Sequence, residues 1–216
     1  MNILITAGPT REHLDPVRFL SNRSTGKMGF ATAQAAAERG HSVTLIAGPV
    51  ALPTPHGVTR VDVVSAREML AAVERLLPQH DALIMSAAVA DWRPAQAADT
   101  KLKKSEMNPT LQLVPNPDIL KTIAPQKGKR IFVGFAAETG DPLAEAQRKL
   151  TAKGLDLIIA NDVTAPGAGF AVDTNIVTFL SPDAPPQALP LQSKLDIGRA
   201  IVQWIESAVM AQKKFF

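Results

Sequence analysis

Residues 21–29 read Ser-Asn-Arg-Ser-Thr-Gly-Lys-Met-Gly and lie between an apolar run at residues 3–5 and a helical pattern that begins near Met28. This order predicts a strand that leaves a sheet, makes a long excursion and enters a helix here. The stretch would bring two hydroxyls, an amide side chain and free backbone N–H groups to the carboxyl end of a strand. Such a place favours an anion, because unpaired amides and the helix dipole attract negative charge. Ordinary helix capping is the alternative.

Short apolar runs alternate with helical patterns along most of the chain. The alternation predicts an α/β fold: a Rossmann-like doubly wound, mostly parallel sheet with helices on both faces. In such sheets ligands bind at the carboxyl ends of the strands, where the strand order reverses. We predict strands at residues 2–6, 42–47, 60–64, 81–86, 110–114, 130–135 and 156–160, and helices at residues 27–39, 65–77, 142–153 and from 193 onward.

The pattern changes at several points along the chain. Residues 92–104 match neither the alternation of a strand nor the spacing of a helix, and they indicate an irregular segment. Asn116 followed by Pro117 predicts an N-cap and the first residue of a helix. After residue 161, residues 167–170 and 175–180 indicate a small β extension near the C-terminus, followed by a proline-rich loop. We predict a single domain over residues 1–211 and a tail at 212–216.

The composition excludes several classes of protein. Of the 216 residues 46% are hydrophobic, so a packed core is expected, and the absence of cysteine excludes disulfides, thiolate metal sites and cysteine nucleophiles. We see neither a membrane-spanning run nor a secretory signal and expect a cytoplasmic protein. The net charge of +3 fits anionic small molecules and does not indicate nucleic acid.

Two nucleotide-binding motifs are incomplete. The Ser24–Lys27 stretch resembles part of a P-loop, but Met28 stands where that motif needs Ser or Thr. Of the three glycines of the dinucleotide-binding fingerprint G-x-G-x-x-G, only Gly8 is present after the first strand. The second strand ends in Ala47-Gly48, without the acidic residue that would bind the ribose of NAD. The chain also has no tyrosine, so a short-chain-type hydride transfer is disfavoured. The four histidines show no metal-ligand spacing.

Charged residues near the predicted strand ends are candidates for a phosphate or metal site. Either a solvated charge run or a flexible segment that closes over a phosphate explains the basic cluster Lys101, Lys103 and Lys104. Lys149 and Lys153 share one helix face and either contact a triphosphate or are merely exposed. Spacing does not choose among the candidate Mg²⁺ or polar ligands, which are Asp15, Asp91, Glu138 and Asp162.

Eight motifs in order carry a resemblance over nearly the whole chain, at residues 8–12, 15–18, 21–29, 87–91, 101–104, 116–119, 134–139 and 160–162. Together they closely resemble phosphopantothenoylcysteine synthetase (phosphopantothenate–cysteine ligase). In many bacteria this enzyme is the C-terminal half of a bifunctional protein whose flavoprotein half decarboxylates the product. The resemblance implies a Mg²⁺-dependent homodimer in coenzyme A biosynthesis, with contacts in the β extension and a phosphopantothenoylcysteine decarboxylase as a further partner.

The implied reaction uses 4′-phosphopantothenate, cysteine and CTP. The phosphopantothenate carboxylate attacks the α-phosphate of CTP and releases pyrophosphate; the cysteine amine then attacks the acyl-cytidylate and releases CMP. By motif, Asn22 and Lys101 match catalytic positions, and Arg18 matches a substrate residue that reaches across the dimer interface. Further substrate-binding matches are Ser24, Thr25, Gly26 and Ala88. Nucleotide-binding matches are Gly8, Ala87, Asp91, Asn116, Pro117, Asp118, Ile119, Phe135, Lys149 and Lys153.

Two other functions agree with the same residues. One is a different nucleotide-dependent ligase of Rossmann type, and the other is a non-catalytic nucleotide-binding subunit. Substrate-dependent release of pyrophosphate separates the ligase of the resemblance from both. The choice between CTP and ATP leaves no side-chain signature in the sequence.

Overall fold

The computed structural model describes residues 1–104, 110–138, 143–162 and 164–214, without the side chains of Asp162, Lys213 and Lys214. Strands run over β1 Asn2–Ala7, β2 Arg11–His13, β3 Phe19–Ser21, β4 Ser42–Ala47, β5 Val58–Asp62, β6 Ala82–Met85, β7 Trp92–Pro94, β8 Leu113–Pro115, β9 Ile131–Glu138, β10 Leu157–Asp162, β11 Thr174–Ser181 and β12 Ala184–Ser193. Helices run over α1 Lys27–Glu38, α2 Ala66–Leu76, α3 Ile119–Ile123, α4 Leu143–Ala152 and α5 Lys194–Lys214. Thr139 and Pro142, used in the sequence predictions, lie outside the described residues.

Eight strands form one sheet in the order β12-β11-β10-β9-β6-β1-β4-β5. Six neighbouring strands are parallel, namely β10, β9, β6, β1, β4 and β5, and β11 and β12 join antiparallel. The parallel strands therefore follow the doubly wound order, with the reversal between β1 and β6. This confirms the predicted fold class and fixes the edge at which a ligand site is expected.

The sheet separates two layers of core. Successive residues of a strand point to opposite faces, so Ile3 and Ile5 pack on the side of α1 and α5, whereas Leu4 packs on the other side. The second layer is covered by α2, α3 and α4. None of the helices within the described ranges is both long and apolar enough to cross a membrane.

Helix α1 lies unusually close to the strand that precedes it. A Cβ on Gly29 would stand 2.5 Å from the Cβ of Ala7, so only glycine allows this approach. The helix ends as predicted, with Gly40 at a φ of +80° just beyond its last turn. The Ser65 side chain accepts from the Glu68 amide at the start of α2, as its spacing predicts.

Three local predictions were wrong. The loop after β1 contains the hairpin β2–β3, and residues 92–94 pair with β8. Asp118, not Asn116, is the N-cap of α3, because Asn116 is occupied with the carbonyls of Ala90 and Asp91.

The β extension also differs from its prediction. Residues 167–170 form a loop, and the partner of β11 is β12, which contains Pro185, Pro186 and Pro190. Proline is tolerated there because β12 is the outer strand of the sheet, where a missing N–H breaks few ladder bonds. The domain boundary predicted at residue 211 falls inside α5.

Candidate functional site

A cleft of about 340 Å³ opens at the carboxyl ends of the parallel strands, beside the reversal between β1 and β6. One wall is the start of α1, and the opposite wall comes from α3 and the end of α4. The structure thus brings together most of the predicted site residues, namely Ser24, Thr25, Gly26, Ala87, Ala88, Asp91, Asn116, Pro117, Asp118, Ile119, Phe135, Lys149 and Lys153.

The start of α1 is shaped for close backbone approach. Gly26 is its N-cap, at a φ of +78°, and no side chain of the described residues caps the helix. The Ser24 hydroxyl accepts from the Gly26 amide at 3.3 Å, and the Thr25 hydroxyl donates to the Phe170 carbonyl at 2.5 Å. The capping alternative is therefore wrong for this helix, and its first amide groups remain the anion-attracting feature.

Gly8 and Asn22 contact the loop after β6 but do not line the cleft. The Asn22 amide donates to the carbonyls of Ala88 at 3.0 Å and Val89 at 3.3 Å. The Gly8 carbonyl accepts from the Ala88 amide at 2.9 Å. Both predicted residues thus fix the position of the loop that carries Ala87, Ala88 and Asp91.

Arg18 and Lys101 belong to a second group of residues, which is built around Asp15 and adjoins the cleft without lining it. The buried Asp15 carboxylate accepts from Arg18 and from the Leu102 amide at 3.2 Å, and Arg18 donates to the Leu102 carbonyl at 2.9 Å. These bonds hold the pKa of Asp15 well below its usual range, chiefly through Arg18. Asp15 therefore anchors the segment that carries Lys101 rather than facing the cleft, and the exposed Lys101 does not line it.

The wall formed by α3 and α4 carries paired charges. Lys149 contacts Glu138 at 2.6 Å, and Lys153 contacts Asp118 at 3.1 Å. Both lysines are about 30% exposed and line the cleft, so they are available to a ligand whose negative charge replaces these carboxylates. The reading of both lysines as merely solvent-exposed is not what the structure shows.

Candidate metal ligands are few. Within the described ranges, no group of three His, Cys, Asp or Glu side chains could hold a metal ion. Asp15 and Glu138 are engaged with Arg18 and Lys149, and the Asp162 side chain lies outside the described residues. Asp91, in contrast, lines the cleft with an exposed carboxylate.

Sequence reasoning missed several residues of the cleft. Asn161, Asn175 and Lys194 line it and are all less than 10% exposed, and Gly169 and Phe170 form part of its rim. These residues come from β10, β11, α5 and the loop between the first two. No local period signals such a grouping, because it depends on contacts between distant parts of the chain.

Comparison with known proteins gives one consistent relationship. The family model of the DNA/pantothenate metabolism flavoprotein C-terminal domain matches residues 1–209. The coenzyme A biosynthesis bifunctional protein CoaBC of Bacillus subtilis is 50% identical over 205 residues, which are 94% of this chain and 50% of that protein. The chain thus spans about half the length of the curated relative.

Two solved structures share the architecture. The C-terminal domain of a coenzyme A biosynthesis bifunctional protein CoaBC superposes with a TM-score of 0.82 at 40% identity, covering 98% of this chain and 96% of that one. A Cab2 mutant in complex with phosphopantothenate-cysteine superposes with a TM-score of 0.80, covering 98% and 88%. At 18% identity, the second likeness shows the fold alone.

Proposed function

The chain belongs to the family of the DNA/pantothenate metabolism flavoprotein C-terminal domain, and on that premise we propose that it is the ligase that joins 4′-phosphopantothenate to cysteine in coenzyme A biosynthesis. The bifunctional relative takes part in that pathway by its name. The proposal includes CTP as the activating nucleotide and a cytoplasmic location.

The observation that supports the proposal is the construction of the cleft. A helix N-terminus with backbone amides forms one wall, and Lys149 and Lys153 form the other. Two phosphorylated groups can therefore bind on opposite sides of the sheet edge. A carboxylate held between them would face the α-phosphate of a nucleotide, which is the arrangement that acyl activation needs.

The chemistry requires no nucleophile from the protein. The substrate carboxylate attacks the α-phosphate and pyrophosphate leaves; the cysteine amine then attacks the acyl carbonyl and CMP leaves. The chain must align the reactants and stabilise the charge that develops on oxygen. Asn22 is proposed to engage the acyl intermediate, and Lys101 to approach the phosphates from the anchored 101–104 segment.

Magnesium fits a cleft of this kind, because Mg²⁺ is usually held by one or two carboxylates together with substrate phosphates. Asp91 is the residue that would contribute a carboxylate. The ion would supply neutralisation of triphosphate charge.

The proposed assembly is a homodimer that also works with a phosphopantothenoylcysteine decarboxylase. The bifunctional name of the relative supports a second activity in the longer protein. Arg18 has one side on Asp15 and an exposed part, which suits a residue that reaches a partner's substrate.

The experiment that tests the function is pyrophosphate release with Mg²⁺, 4′-phosphopantothenate and either CTP or ATP, with and without cysteine. Release that requires phosphopantothenate and favours CTP supports the proposal. Faster release with ATP contradicts the nucleotide assignment alone. Nucleotide binding without release from folded protein would move the assignment to a binding subunit.

Lys101→Ala tests the proposed role of the anchored segment. Because Lys101 is exposed, its removal should leave the melting temperature nearly unchanged. Turnover should fall by about 100-fold if Lys101 stabilises transition-state charge. Lys104→Ala, in the same segment, shows whether the effect is specific to Lys101, since an equal loss in both variants would assign it to the charge of the whole cluster. Turnover of Lys101→Ala equal to that of the unaltered chain would indicate a solvated charge run instead.

A further inference from the structure

The loop between β10 and β11 crosses the start of α1. Its residues 167–173, here called the strap, include Gly169 and Phe170, which line the cleft beside Thr25 and Gly26. The strap is therefore part of the wall at the end of the cleft where an anion is expected. The sequence pattern placed residues 167–170 in the β extension and gave them no role in the cleft.

The five consecutive carbonyl groups of residues 169–173 in the strap all accept hydrogen bonds. The Lys194 ammonium donates to the carbonyls of Gly169 at 2.8 Å, Phe170 at 3.2 Å and Val172 at 2.6 Å. The Lys194 backbone amide donates to the carbonyl of Asp173 at 2.9 Å. Because an ammonium has three N–H donors, these three carbonyls satisfy all of them.

Two residues complete the row: Thr25, just before the N-cap of α1, and Lys27, the first residue of the helix. The Thr25 hydroxyl also donates to the Phe170 carbonyl, and the Lys27 ammonium donates to the Ala171 carbonyl at 2.8 Å. Lys27 also pairs with the Asp173 carboxylate at 2.7 Å. The strap therefore has two sets of donors, one at the start of α5 and one at the start of α1.

The two sets differ in their access to a ligand. Lys194 is only 5% exposed, whereas Lys27 has a third of its side chain in solvent, and Thr25 lies at the helix start. A phosphoryl group at the α1 N-terminus would compete with the strap carbonyls for Thr25 and Lys27. Among the contacts that bind residues 169–173, those of Lys194 would remain during that exchange.

We propose that Lys194 is a positioning residue that holds the strap as the wall of the anion end of the cleft, so that Thr25 and Lys27 are free to turn to a bound phosphoryl group. This inference rests on the proposed function for the identity of the substrate, but not for the contact itself. Burial and the neighbouring Lys27 lower the pKa of Lys194 to about 8, so the ammonium is still the main form at pH 7.

Limited proteolysis tests the contact without reference to any activity. Phe170 is the strap residue that chymotrypsin recognises, and Lys194→Met removes the ammonium at similar side-chain length. The full chain carrying Lys194→Met should be cut after Phe170 about tenfold faster than the unaltered chain, because opening of the strap costs less. Lys194→Arg, which keeps charge and donors, should be cut slowly again.

The matched control is Lys127→Met. The Lys127 ammonium holds the Gly154 carbonyl at 2.6 Å and the Asp156 carboxylate at 2.9 Å, remote from the cleft lining. This variant should not change cleavage at Phe170. Equal cleavage rates for both methionine variants and the unaltered chain would overturn the proposal, and equal acceleration by both would show a general loss of stability instead.

Steady-state kinetics then distinguishes a positioning role of Lys194 from a purely structural one. Lys194→Met should raise KM for the substrate bound at α1 by about tenfold and change kcat by less than about threefold, since the strap contributes to binding in both ground and transition states. A fall in kcat at unchanged KM would overturn the role. If the unaltered chain shows no turnover, the proposed function fails while the proteolysis result still decides the role of Lys194.

Discussion

The Asn22 amide donates to two carbonyls of the loop that follows β6, so the protein itself sets its orientation. A side chain fixed in this way can present its remaining oxygen to a reacting group at little entropic cost. This residue is the clearest candidate for a role in one half of the proposed reaction.

Asn22→Ala should leave pyrophosphate release in place and slow amide formation by about 100-fold, the usual effect of removing one well-placed polar group. Pyrophosphate and amide product are measured separately in single-turnover experiments. Gln34→Ala, an exposed change on α1, is the control. Formation of the amide at the normal rate by the Asn22 variant would refute this role.

The lowered pKa of Asp15 predicts how the stability of the chain depends on pH. Its pKa is lowered in the folded chain, so its contribution to the free energy of unfolding is present above its ordinary value of 3.8 and is lost as the pH falls further. Asp15→Asn should therefore be less stable than the unaltered chain at pH 7, and the difference should shrink below about pH 4. Urea unfolding at both pH values measures this, and a constant difference would contradict it.

At the scale of elements, the approach of α1 to β1 depends on a missing side chain. In Gly29→Ala the added methyl overpacks against Ala7, which by itself should cost about 1–3 kcal/mol of stability. Helix propensity acts in the opposite direction, by about 1 kcal/mol, so the net loss will be smaller. Urea unfolding against Gln34→Ala checks the prediction, and an increase in stability would show that α1 shifts freely.

The same scale shows what the sequence could predict. Five of the six parallel strands contain three or more consecutive apolar residues, and such runs are visible without a structure; the sixth strand, β5, is mostly polar. Strands β2, β3 and β7, of three residues each, are too short to establish a period, and β8 covers only the end of the strand predicted at residues 110–114. Strand β12 was predicted as a loop because it contains three prolines, which a strand tolerates only at the edge of a sheet.

The candidate site also has parts that the sequence predicts and parts that it does not. The start of α1 and the lysines of α4 follow from motifs within short segments, and the structure brings them to one cleft. The sequence did not predict the hydrogen bond between Asp15 and Leu102, nor those from Lys194 to the strap. Each joins residues that are more than twenty positions apart and belong to different elements.

At the scale of the whole molecule, two regions of the surface carry exposed apolar side chains that bear on assembly. One includes Val17, Phe19 and Trp92 near the hairpin β2–β3, and the other includes Ile176 and Leu191 on β11 and β12. The second group lies in the β extension, where the dimer contacts are predicted. The first surrounds Arg18, the residue expected to reach across an interface.

Analytical ultracentrifugation should therefore find a particle of twice the 23.0 kDa chain mass. Paired changes distinguish the two surfaces: Ile176→Asp with Leu191→Asp, and Val17→Asp with Phe19→Asp. We expect the first pair to weaken the dimer, and the second pair to reduce turnover as well by withdrawing Arg18 from the partner's cleft. A monomeric unaltered chain at micromolar concentration would contradict the proposed assembly.

The three prolines of β12 have a consequence for how these chains behave in a crowded solution. An outer strand with a full set of N–H groups is a template on which further chains can polymerise into fibres. In β12 the prolines remove three donors from ten residues, and the ladder with β11 is interrupted by two register shifts. Strand-by-strand growth is therefore disfavoured at this edge, and copies of the chain that meet at β12 are expected to associate through their side chains.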